Sequence, residues 1–238
     1  MQSAELYLNQ TMQKKFVVII LARGGSKGIK NKNLTKVNGK PLIYWTLKSC
    51  LNSKKIKSFW VSSDSKKILK YAKENRSNII QRPKNLSTNT STSESGWAHA
   101  INTLEKRNIK FDNVVVLQAT SPVRRKNEID IAISNFVKKK FDSMLSVYKS
   151  HVFFWKRRKK NLKASYNFKK RPLRQNLDDQ YIENGSLYIF KKQKFKKIKN
   201  RLFGRIGLHI MSRNHSFEID EKEDIKLISK FREFFGSK

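Results

Sequence analysis

The sequence predicts an α/β fold whose mostly parallel, doubly wound sheet carries a small inserted lobe. Short apolar runs alternate with amphipathic helical patterns from Phe16 to Tyr148, an alternation typical of parallel sheets with helices on both faces. The run VVVL at 114–117 consists of apolar residues only, the pattern of a strand that is buried on both faces. A chain of 238 residues is long enough for one such domain with a full core, and too short for two ordinary domains.

Each predicted strand is a short apolar run that ends in polar or basic residues. The first, 16–22, has the length of a buried strand and is far too short to span a bilayer. The charged leader that begins at Met12 resembles a signal peptide, but the basic, glycine-rich loop directly after the run favours the strand interpretation. Further strands are predicted within 56–64, 77–83, 111–122, 143–148, 184–190 and 204–211.

The predicted helices carry apolar residues at near-helical spacing. In the first, within 39–53, Leu42, Trp45 and Leu51 recur along one face, and Pro41 suits the first turn. The second, within 63–76, begins after a Ser or Asp cap. Further helices are predicted within 94–107, 126–140 and 223–235.

Two segments interrupt or precede this alternation. Residues 149–180 contain aromatic and basic side chains without a sustained period, and we interpret them as an inserted lobe for dimerisation or substrate binding. Residues 1–13 precede the first strand and are interpreted as an N-terminal extension. Residues 14–238, with the lobe included, form the single predicted domain.

The chain is strongly basic, with 53 lysines and arginines, 18 acidic residues and a net charge of +35. Such an excess is typical of proteins that bind nucleic acids or anionic membranes. The lysines are spread over nearly every predicted loop and polar helix face, which argues against nucleic-acid binding as the main function. A basic nucleic-acid-binding protein stays the alternative from another class, with 151–160 (HVFFWKRRKK) as the stretch that resembles one.

The single cysteine, Cys50, lies in an apolar helical pattern and cannot form an intramolecular disulfide. A reducing, cytoplasmic location fits this cysteine usage. The four histidines have no cysteine or carboxylate at metal-ligand spacing, so we expect structural histidines and no zinc site.

The loop that follows the first strand, LARGGSKGIKNKN at 21–33, is the strongest candidate for a binding site. It contains three glycines and no acidic residue. Glycines let backbone N–H groups approach an anion closely, and Ser26 adds a hydroxyl donor. Positive charge comes from Arg23, Lys27 and Lys32. The spacing fits neither the P-loop nor the dinucleotide-binding pattern, so the loop alone predicts an anion site of unspecified kind.

Polar clusters follow the next three predicted strands as well: SSD at 62–64, QRP at 81–83 and QATSPVR at 118–124. Ligands of open parallel sheets bind beyond the carboxyl ends of the strands. We therefore expect these clusters to lie beside the glycine-rich loop.

Several motifs occur in the order typical of one enzyme family. They are LARGGSKGIKNKN (21–33), GKPLI (39–43), LQATSPVR (117–124), RQ (174–175), ENGSLYI (183–189) and EIDEKED (218–224). The interval over which they are spread covers most of the chain. Together they resemble the acylneuraminate cytidylyltransferase family, the CMP-sialic acid synthetases. The resemblance implies a Rossmann-like nucleotidyltransferase fold, Mg²⁺ as cofactor, a cytosolic location and a homodimer joined through the inserted lobe.

The resemblance also implies a reaction. CMP would pass from CTP to the anomeric hydroxyl of a sialic-type nine-carbon keto-sugar acid, N-acetylneuraminate, with release of pyrophosphate. The CMP-sugar would then serve the synthesis of a surface glycan such as lipopolysaccharide or capsule. A synthetase for legionaminate, pseudaminate or another nonulosonic acid is the alternative within the family. CTP and a nonulosonic acid are thus the expected partners, and no membrane binding is expected.

The matching motif positions imply roles for individual residues. Arg23, Lys27 and Lys32 are the expected catalytic residues at the phosphates. The expected nucleotide-binding residues are Ala22, Gly24, Ser26, Asn33, Arg82, Ser93 and Gln118. The expected sugar-binding residues are Gln118, Lys156, Arg174 and Tyr188.

Glu218 and Asp220 are the expected metal ligands. Carboxylate oxygens are the ligands that Mg²⁺ prefers, and two positions of separation place both side chains on one side of an extended segment. The family pattern has Asp at the first position, so Glu218 is a departure from it. Without the resemblance, the same acids are also typical of residues that precede a helix N-terminus.

Overall fold

A seven-stranded sheet lies at the centre of the molecule, and two small two-stranded sheets accompany it. The computed structural model describes residues 15–26 and 28–234. The predicted N-terminal extension, residues 1–13, lies outside the described residues. In chain order the strands are β1 (Phe16–Leu21), β2 (Lys36–Val37), β3 (Lys40–Pro41), β4 (Ser58–Ser63), β5 (Asn78–Gln81), β6 (Asn113–Gln118), β7 (Ser143–Ser150), β8 (Trp155–Arg158), β9 (Asn161–Ala164), β10 (Gln180–Lys191) and β11 (Ile206–Met211).

Two of the helices begin at side chains that cap their first turn. Ser65 accepts a hydrogen bond from the Ile68 N–H at 3.4 Å, and Thr92 accepts one from the Ser95 N–H at 3.2 Å. In chain order the α-helices of the described residues are α1 (Leu42–Leu51), α2 (Lys66–Glu74), α3 (Ser93–Lys106), α4 (Glu128–Lys138), α5 (Lys192–Ile198) and α6 (Lys222–Phe234).

The central sheet has the strand order β11-β7-β10-β6-β1-β4-β5. β1 pairs in parallel with β6 on one side and with β4 on the other. β10 is antiparallel to both of its neighbours, β6 and β7, while β11 is parallel to β7. The prediction of a mostly parallel α/β fold is therefore confirmed, with β10 as the antiparallel strand.

Helices cover both faces of this sheet. On one face, Phe16, Val18 and Ile20 of β1 pack with apolar side chains of α1, α2 and α4. On the other face, Val17 and Ile19 pack with side chains of α3 and α5. Full burial of one such aliphatic side chain contributes about 1.5–3 kcal/mol to folding. The end of β1, and with it the start of the glycine-rich loop, is thus fixed by core packing on two sides.

The short strands β2, β3, β8 and β9 were not predicted, and two further elements differ from the sequence prediction. The predicted first strand includes Ala22, whereas β1 ends at Leu21; the Ala22 N–H still donates to the Ser62 carbonyl at 3.0 Å. Helix α5 was not predicted, because only Phe195 of this lysine-rich segment is buried and a single buried residue shows no period.

Cys50 is buried on α1, and burial raises the pKa of its thiol to about 12.

Between β7 and β10 the chain leaves the central sheet. β8 and β9 form an antiparallel hairpin there. Nearly all of the hairpin side chains are exposed. Within residues 15–26 and 28–234, no helix has the length and apolar character required to cross a membrane.

Candidate active site

A cavity of about 490 Å³ opens beyond the carboxyl ends of β1 and β6. Its walls come from the glycine-rich loop, the loop before α3, the turn after β6 and the segment before α6. This is the edge at which open parallel sheets bind their ligands. The polar lining residues include Arg23, Ser26, Lys32, Asn33, Arg82, Ser93, Gln118, Thr120, Glu218 and Asp220.

Asn33 fixes the start of the glycine-rich loop. Its Nδ2 donates to the Arg23 carbonyl at 3.0 Å, which closes the loop on itself. Its Oδ1 is buried and has no hydrogen-bond partner among the described residues. Because an unpaired buried oxygen is costly, and because Asn33 lines the cavity, this atom is an acceptor that a ligand donor can satisfy.

Arg23 connects the glycine-rich loop to the loop before α3. Its Nη1 donates to the Thr88 carbonyl and to Asn89 Oδ1, both at 3.1 Å. Both acceptors are neutral, so they hold the guanidinium in place without compensating its charge. Arg23 therefore presents positive charge at the cavity wall.

Arg82 places a second guanidinium at the same cavity, although its side chain is almost fully buried. Its Nε donates to Ser87 Oγ at 2.8 Å. Burial lowers the pKa of Arg82; the charge of Asp64 opposes this shift, and the charge of Arg23 adds to it. Two arginines that repel each other across a cavity form a site at which a bound anion relieves the repulsion.

Lys32 and Asp220 connect two segments that are distant in the sequence, the glycine-rich loop and the segment before α6. Lys32 Nζ lies 2.9 Å from Asp220 Oδ1 and donates to the Ile219 carbonyl at 3.0 Å. The lysine begins a short 3-10 helix, Lys32–Leu34, directly after Asn31 in the left-handed backbone region. This local turn directs the Lys32 side chain toward the segment before α6.

Glu218 lies on the same segment and also faces the cavity. Its Oε1 is 2.6 Å from Thr120 Oγ1, and the Ile219 N–H donates to the Thr120 carbonyl at 2.8 Å. Burial raises the pKa of Glu218, and the Thr120 hydrogen bond opposes this; the charge of Asp220 raises it further. The negative charge of Asp220 thus acts on the Glu218 carboxylate.

Magnesium fits this donor set. Mg²⁺ is usually held by one or two carboxylates, with substrate phosphates and waters as its other ligands. Glu218 and Asp220 provide two carboxylates on one cavity wall, and their mutual repulsion is what a divalent cation offsets. Within the described residues, no cluster of three or more His, Cys, Asp and Glu side chains forms a metal site that is complete without substrate.

Comparison with known proteins assigns this arrangement to a family. Residues 17–234 match the sequence model of the family described as cytidylyltransferase. The chain belongs to the cytidylyltransferase family. This confirms the family to which the motifs pointed and the enzyme class, a nucleotidyltransferase.

Two curated proteins are similar to this chain in sequence. An N-acylneuraminate cytidylyltransferase from Oncorhynchus mykiss is 31% identical over 224 residues, which are 92% of this chain and 50% of the relative. A pseudaminic acid cytidylyltransferase from Campylobacter jejuni is 37% identical over 124 residues, 52% of this chain and 53% of the relative. The chain spans about half the length of the curated relatives it matches first.

A solved structure supports the fold of the chain. CMP:2-keto-3-deoxy-manno-octonic acid synthetase complexed with CTP superposes with a TM-score of 0.71, covering 94% of this chain and all of the other. The two sequences are 12% identical, so the likeness concerns the fold alone. The expected Rossmann-like nucleotidyltransferase architecture is confirmed at that level.

Two of the residues expected at the nucleotide, Ala22 and Gly24, do not line the cavity. Ala22 is buried in the core, and the Gly24 N–H donates to Asp64 Oδ1 at 2.9 Å. Lys27, an expected catalytic residue, lies outside the described residues. The roles of all three stay predictions.

Three expected sugar-binding residues also lie away from the cavity lining. Tyr188 is buried in β10, its hydroxyl donates to Glu183, and burial raises the pKa of its phenol. Its ring lies 4.9 Å from the Arg201 guanidinium. Lys156 on β8 and Arg174 in a short 3-10 helix are exposed on the lobe. Their sugar-binding roles stay predictions.

Sequence reasoning assigned no role to several residues that shape the cavity. Thr88 and Asn89 hold Arg23, and they lie in a polar run, 84–95, that has no apolar period. Thr120 and Arg124 lie inside the quoted motif LQATSPVR. The polar cluster at the end of a buried strand was the available signal for both.

Arg124 is a fully buried cation beneath the cavity. Its Nη2 donates to the carbonyls of Gln118 and Ser186, each at 2.7 Å, and its Nη1 donates to Thr46 Oγ1 at 2.9 Å. Burial lowers the pKa of its guanidinium to about 10. Arg124 thereby joins the end of β6 and the middle of β10 to α1, at the point where Gln118 enters the cavity.

Proposed function

We propose that the protein transfers CMP from CTP to the anomeric hydroxyl of a sialic-type nine-carbon keto-sugar acid, with release of pyrophosphate. One observation carries this proposal: the same cavity is lined by three cationic side chains and two carboxylates. The cations belong to Arg23, Lys32 and Arg82, and the carboxylates to Glu218 and Asp220. Cations suit a triphosphate, and paired carboxylates suit the metal ion that accompanies it.

The charge distribution of the cavity suits nucleotidyl transfer. This reaction builds negative charge on the nonbridging and leaving oxygens of the phosphates, and catalysis comes mainly from positioning and charge stabilisation. Arg23 is held by neutral acceptors, so its guanidinium can grip a phosphate in a fork. Lys32 acts as a point charge that a phosphate can share with Asp220.

Mg²⁺ is the proposed cofactor, with Glu218 and Asp220 as its protein ligands. The chemistry that such an ion supplies is charge compensation at the reacting phosphate oxygens. A different residue holds each of the two side chains in place. Thr120 holds Glu218, and Lys32 holds Asp220. Asn33 Oδ1 and the Gln118 amide remain to position the nucleotide and the sugar acid.

N-acetylneuraminate is the proposed acceptor, with legionaminate, pseudaminate or another nonulosonic acid as the alternative. Relatives named for N-acylneuraminate and for pseudaminic acid support this class of acids and do not separate its members. The product would serve the synthesis of a surface glycan. A cytoplasmic location is proposed because CTP is a cytoplasmic metabolite.

We further propose a homodimer formed through the lobe. Trp155, Leu162, Phe168 and Leu173 are each more than half exposed, and an isolated two-stranded hairpin is only marginally stable in water. Trp155 also packs against Phe168 with ring centroids 5.6 Å apart and ring planes tilted by 44°, so the lobe presents a preformed aromatic surface. A second copy of the chain is the proposed occupant of this surface, which is rimmed by basic side chains.

Pyrophosphate release tests the proposed function. Purified protein and CTP would be incubated with N-acetylneuraminate, legionaminate or pseudaminate, with Mg²⁺ or with excess chelator. We expect release with at least one acid, dependent on the metal ion and absent without an acid. Folded protein that is silent with every acid, and whose melting temperature rises with RNA but not with CTP and Mg²⁺, would instead support the nucleic-acid alternative.

A further inference from the structure

We propose that Thr120 is a positioning residue that orients the side chains of Glu218 and Gln118 at the cavity wall. This inference deepens the proposed function and rests on it for its kinetic readout only. Thr120 follows β6 and itself lines the cavity. It is the residue at which the end of the central strand meets the segment that precedes α6.

The geometry consists of three contacts made by one residue. Thr120 Oγ1 lies 2.6 Å from Glu218 Oε1 and 3.1 Å from Gln118 Oε1. The Thr120 carbonyl accepts the Ile219 N–H at 2.8 Å. The backbone contact fixes the register of the two segments, and the hydroxyl then fixes the two side chains that project from them.

The hydroxyl has a single proton and cannot donate to both oxygens at once. The shorter distance favours Glu218, because donation to a carboxylate is charge-assisted and short. A half-turn of the Gln118 amide puts its NH₂ group against Thr120 Oγ1. The hydroxyl then accepts from Gln118 while it donates to Glu218, and all three groups are satisfied.

Gly185 confines the Gln118 amide on one side. Gly185 packs against it so closely that a Cβ there would lie 3.0 Å from Gln118 Nε2. The backbone of Gln118 is held as well, since its carbonyl accepts from Arg124. Of the contacts that orient the Gln118 side chain, the one to Thr120 is therefore the polar one that a substitution can remove without moving the backbone.

Substitution of Thr120 by valine isolates the hydroxyl. Valine keeps the branched shape and leaves the Ile219 N–H bond to the backbone carbonyl intact, whereas serine keeps the hydroxyl and loses the methyl group. T120V is the test variant, and T120S is the matched control. Both are compared with the wild-type chain by thermal unfolding, which we expect to change little, because the site is partly open to solvent.

Two readouts decide the inference. Mn²⁺ binding, followed by electron paramagnetic resonance in the presence of CTP, should weaken about 10-fold in T120V, in the range that loss of a partner behind a metal ligand costs. The KM for the sugar acid should rise in T120V as well, because Gln118 loses its partner. T120S should stay within about twofold of wild type in both, as rescue by a retained hydroxyl requires.

Crystal structures of the three proteins give a readout that needs no activity. We expect the Glu218 carboxylate and the Gln118 amide to rotate in T120V and to keep their wild-type orientations in T120S. Unchanged orientations in T120V, together with wild-type Mn²⁺ binding, would overturn the role of Thr120. A wild-type protein that releases no pyrophosphate with any acid refutes the proposed function, while the side-chain orientations still decide the role of Thr120.

Discussion

Lys32 and Asp220, 188 positions apart in the chain, form an ion pair with Nζ and Oδ1 2.9 Å apart. Asp220 is largely exposed, so the pair contributes little to folding. Its importance lies in bringing the glycine-rich loop to the segment that carries both carboxylates. We expect Lys32→Met to lower kcat/KM for CTP by about 100-fold or more, the loss typical of one charge-stabilising donor, with little change in melting temperature.

Lys30→Met is the matched control for Lys32. Lys30 is an exposed lysine of the same loop, so the substitution removes the same charge from the same segment. We expect nearly wild-type pyrophosphate release. Equal losses in the two variants would mean that the loop acts through its net charge alone.

The glycines of the loop offer a second test. A Cβ at Gly28 would lie 2.8 Å from the Asp220 carbonyl oxygen, whereas a Cβ at Gly25 meets nothing within 4 Å. Gly28→Ala must therefore push the loop away from the carboxylate segment, and we expect a loss of activity of at least 10-fold. Gly25→Ala should be tolerated. The kinetic constants of both variants check this, and a tolerated Gly28→Ala would contradict the close packing.

Arg124 should matter for stability. Arg124→Met removes the short buried hydrogen bonds to the carbonyls of Gln118 and Ser186 and the one to Thr46 Oγ1, and we expect the free energy of unfolding to fall by about 3 kcal/mol. Urea unfolding measures the loss. Arg125→Met, at the exposed neighbouring position, serves as the control and should change stability by less than about 0.5 kcal/mol.

Asp142 should make stability depend on pH. The Lys191 ammonium donates to its carboxylate, and the Arg205 N–H and the Lys194 ammonium also hold the pKa of Asp142 well below its usual range. A lowered carboxyl pKa contributes stability that is full above the unfolded pKa and is lost as pH falls through the folded one. We expect Asp142→Asn to cost about 1–2 kcal/mol at neutral pH.

The stability difference for Asp142→Asn should shrink as the pH falls below about 4, because the carboxyl of the unfolded wild-type chain then binds a proton while the folded carboxyl, with its lowered pKa, stays ionised. Urea unfolding at several pH values follows it. Asp178→Asn removes an exposed acid of the lobe and should leave stability unchanged throughout. A difference for Asp142→Asn that grows in acid would show that the sign is wrong.

The homodimer proposal is tested on the lobe. Leu162→Glu places a charge on its exposed apolar surface, and we expect the dimer dissociation constant to rise at least 10-fold in sedimentation experiments. Leu51→Glu is the control, because Leu51 is similarly exposed but lies on α1. A chain that sediments as a monomer before any substitution would refute the proposal directly.

Apolar periodicity predicted nearly all of the fold, because burial sets the period of each strand and helix. The run at 114–117 is buried on both faces, as its composition predicted. Helix α5 escaped prediction, since lysines surround its one buried residue, Phe195. The antiparallel direction of β10 could not be predicted either, because the apolar period and the composition of a strand do not depend on its direction.

The motifs indicated which residues form the cavity but not how they contact one another. Arg23, Lys32 and Asp220 were all expected at the site, yet no pattern predicts that the lysine pairs with the aspartate. The sugar-binding role of Tyr188 stays a prediction. Its motif suggested the sugar, whereas strand alternation cannot distinguish a side chain that faces a cavity from one that faces the core, and Tyr188 is buried.

Strand β7 pairs with β10 on one side and β11 on the other, and both of these follow it in the chain. During synthesis β7 therefore leaves the ribosome without a neighbour, and β10 must later enter between β6 and β7. Non-local pairing of this kind slows folding. A nascent chain that stops before residue 180 lacks the strand that joins the two halves of the sheet. The cavity itself is complete only when Asp220 has been added, so binding competence cannot arise before the segment that precedes α6 has been synthesised.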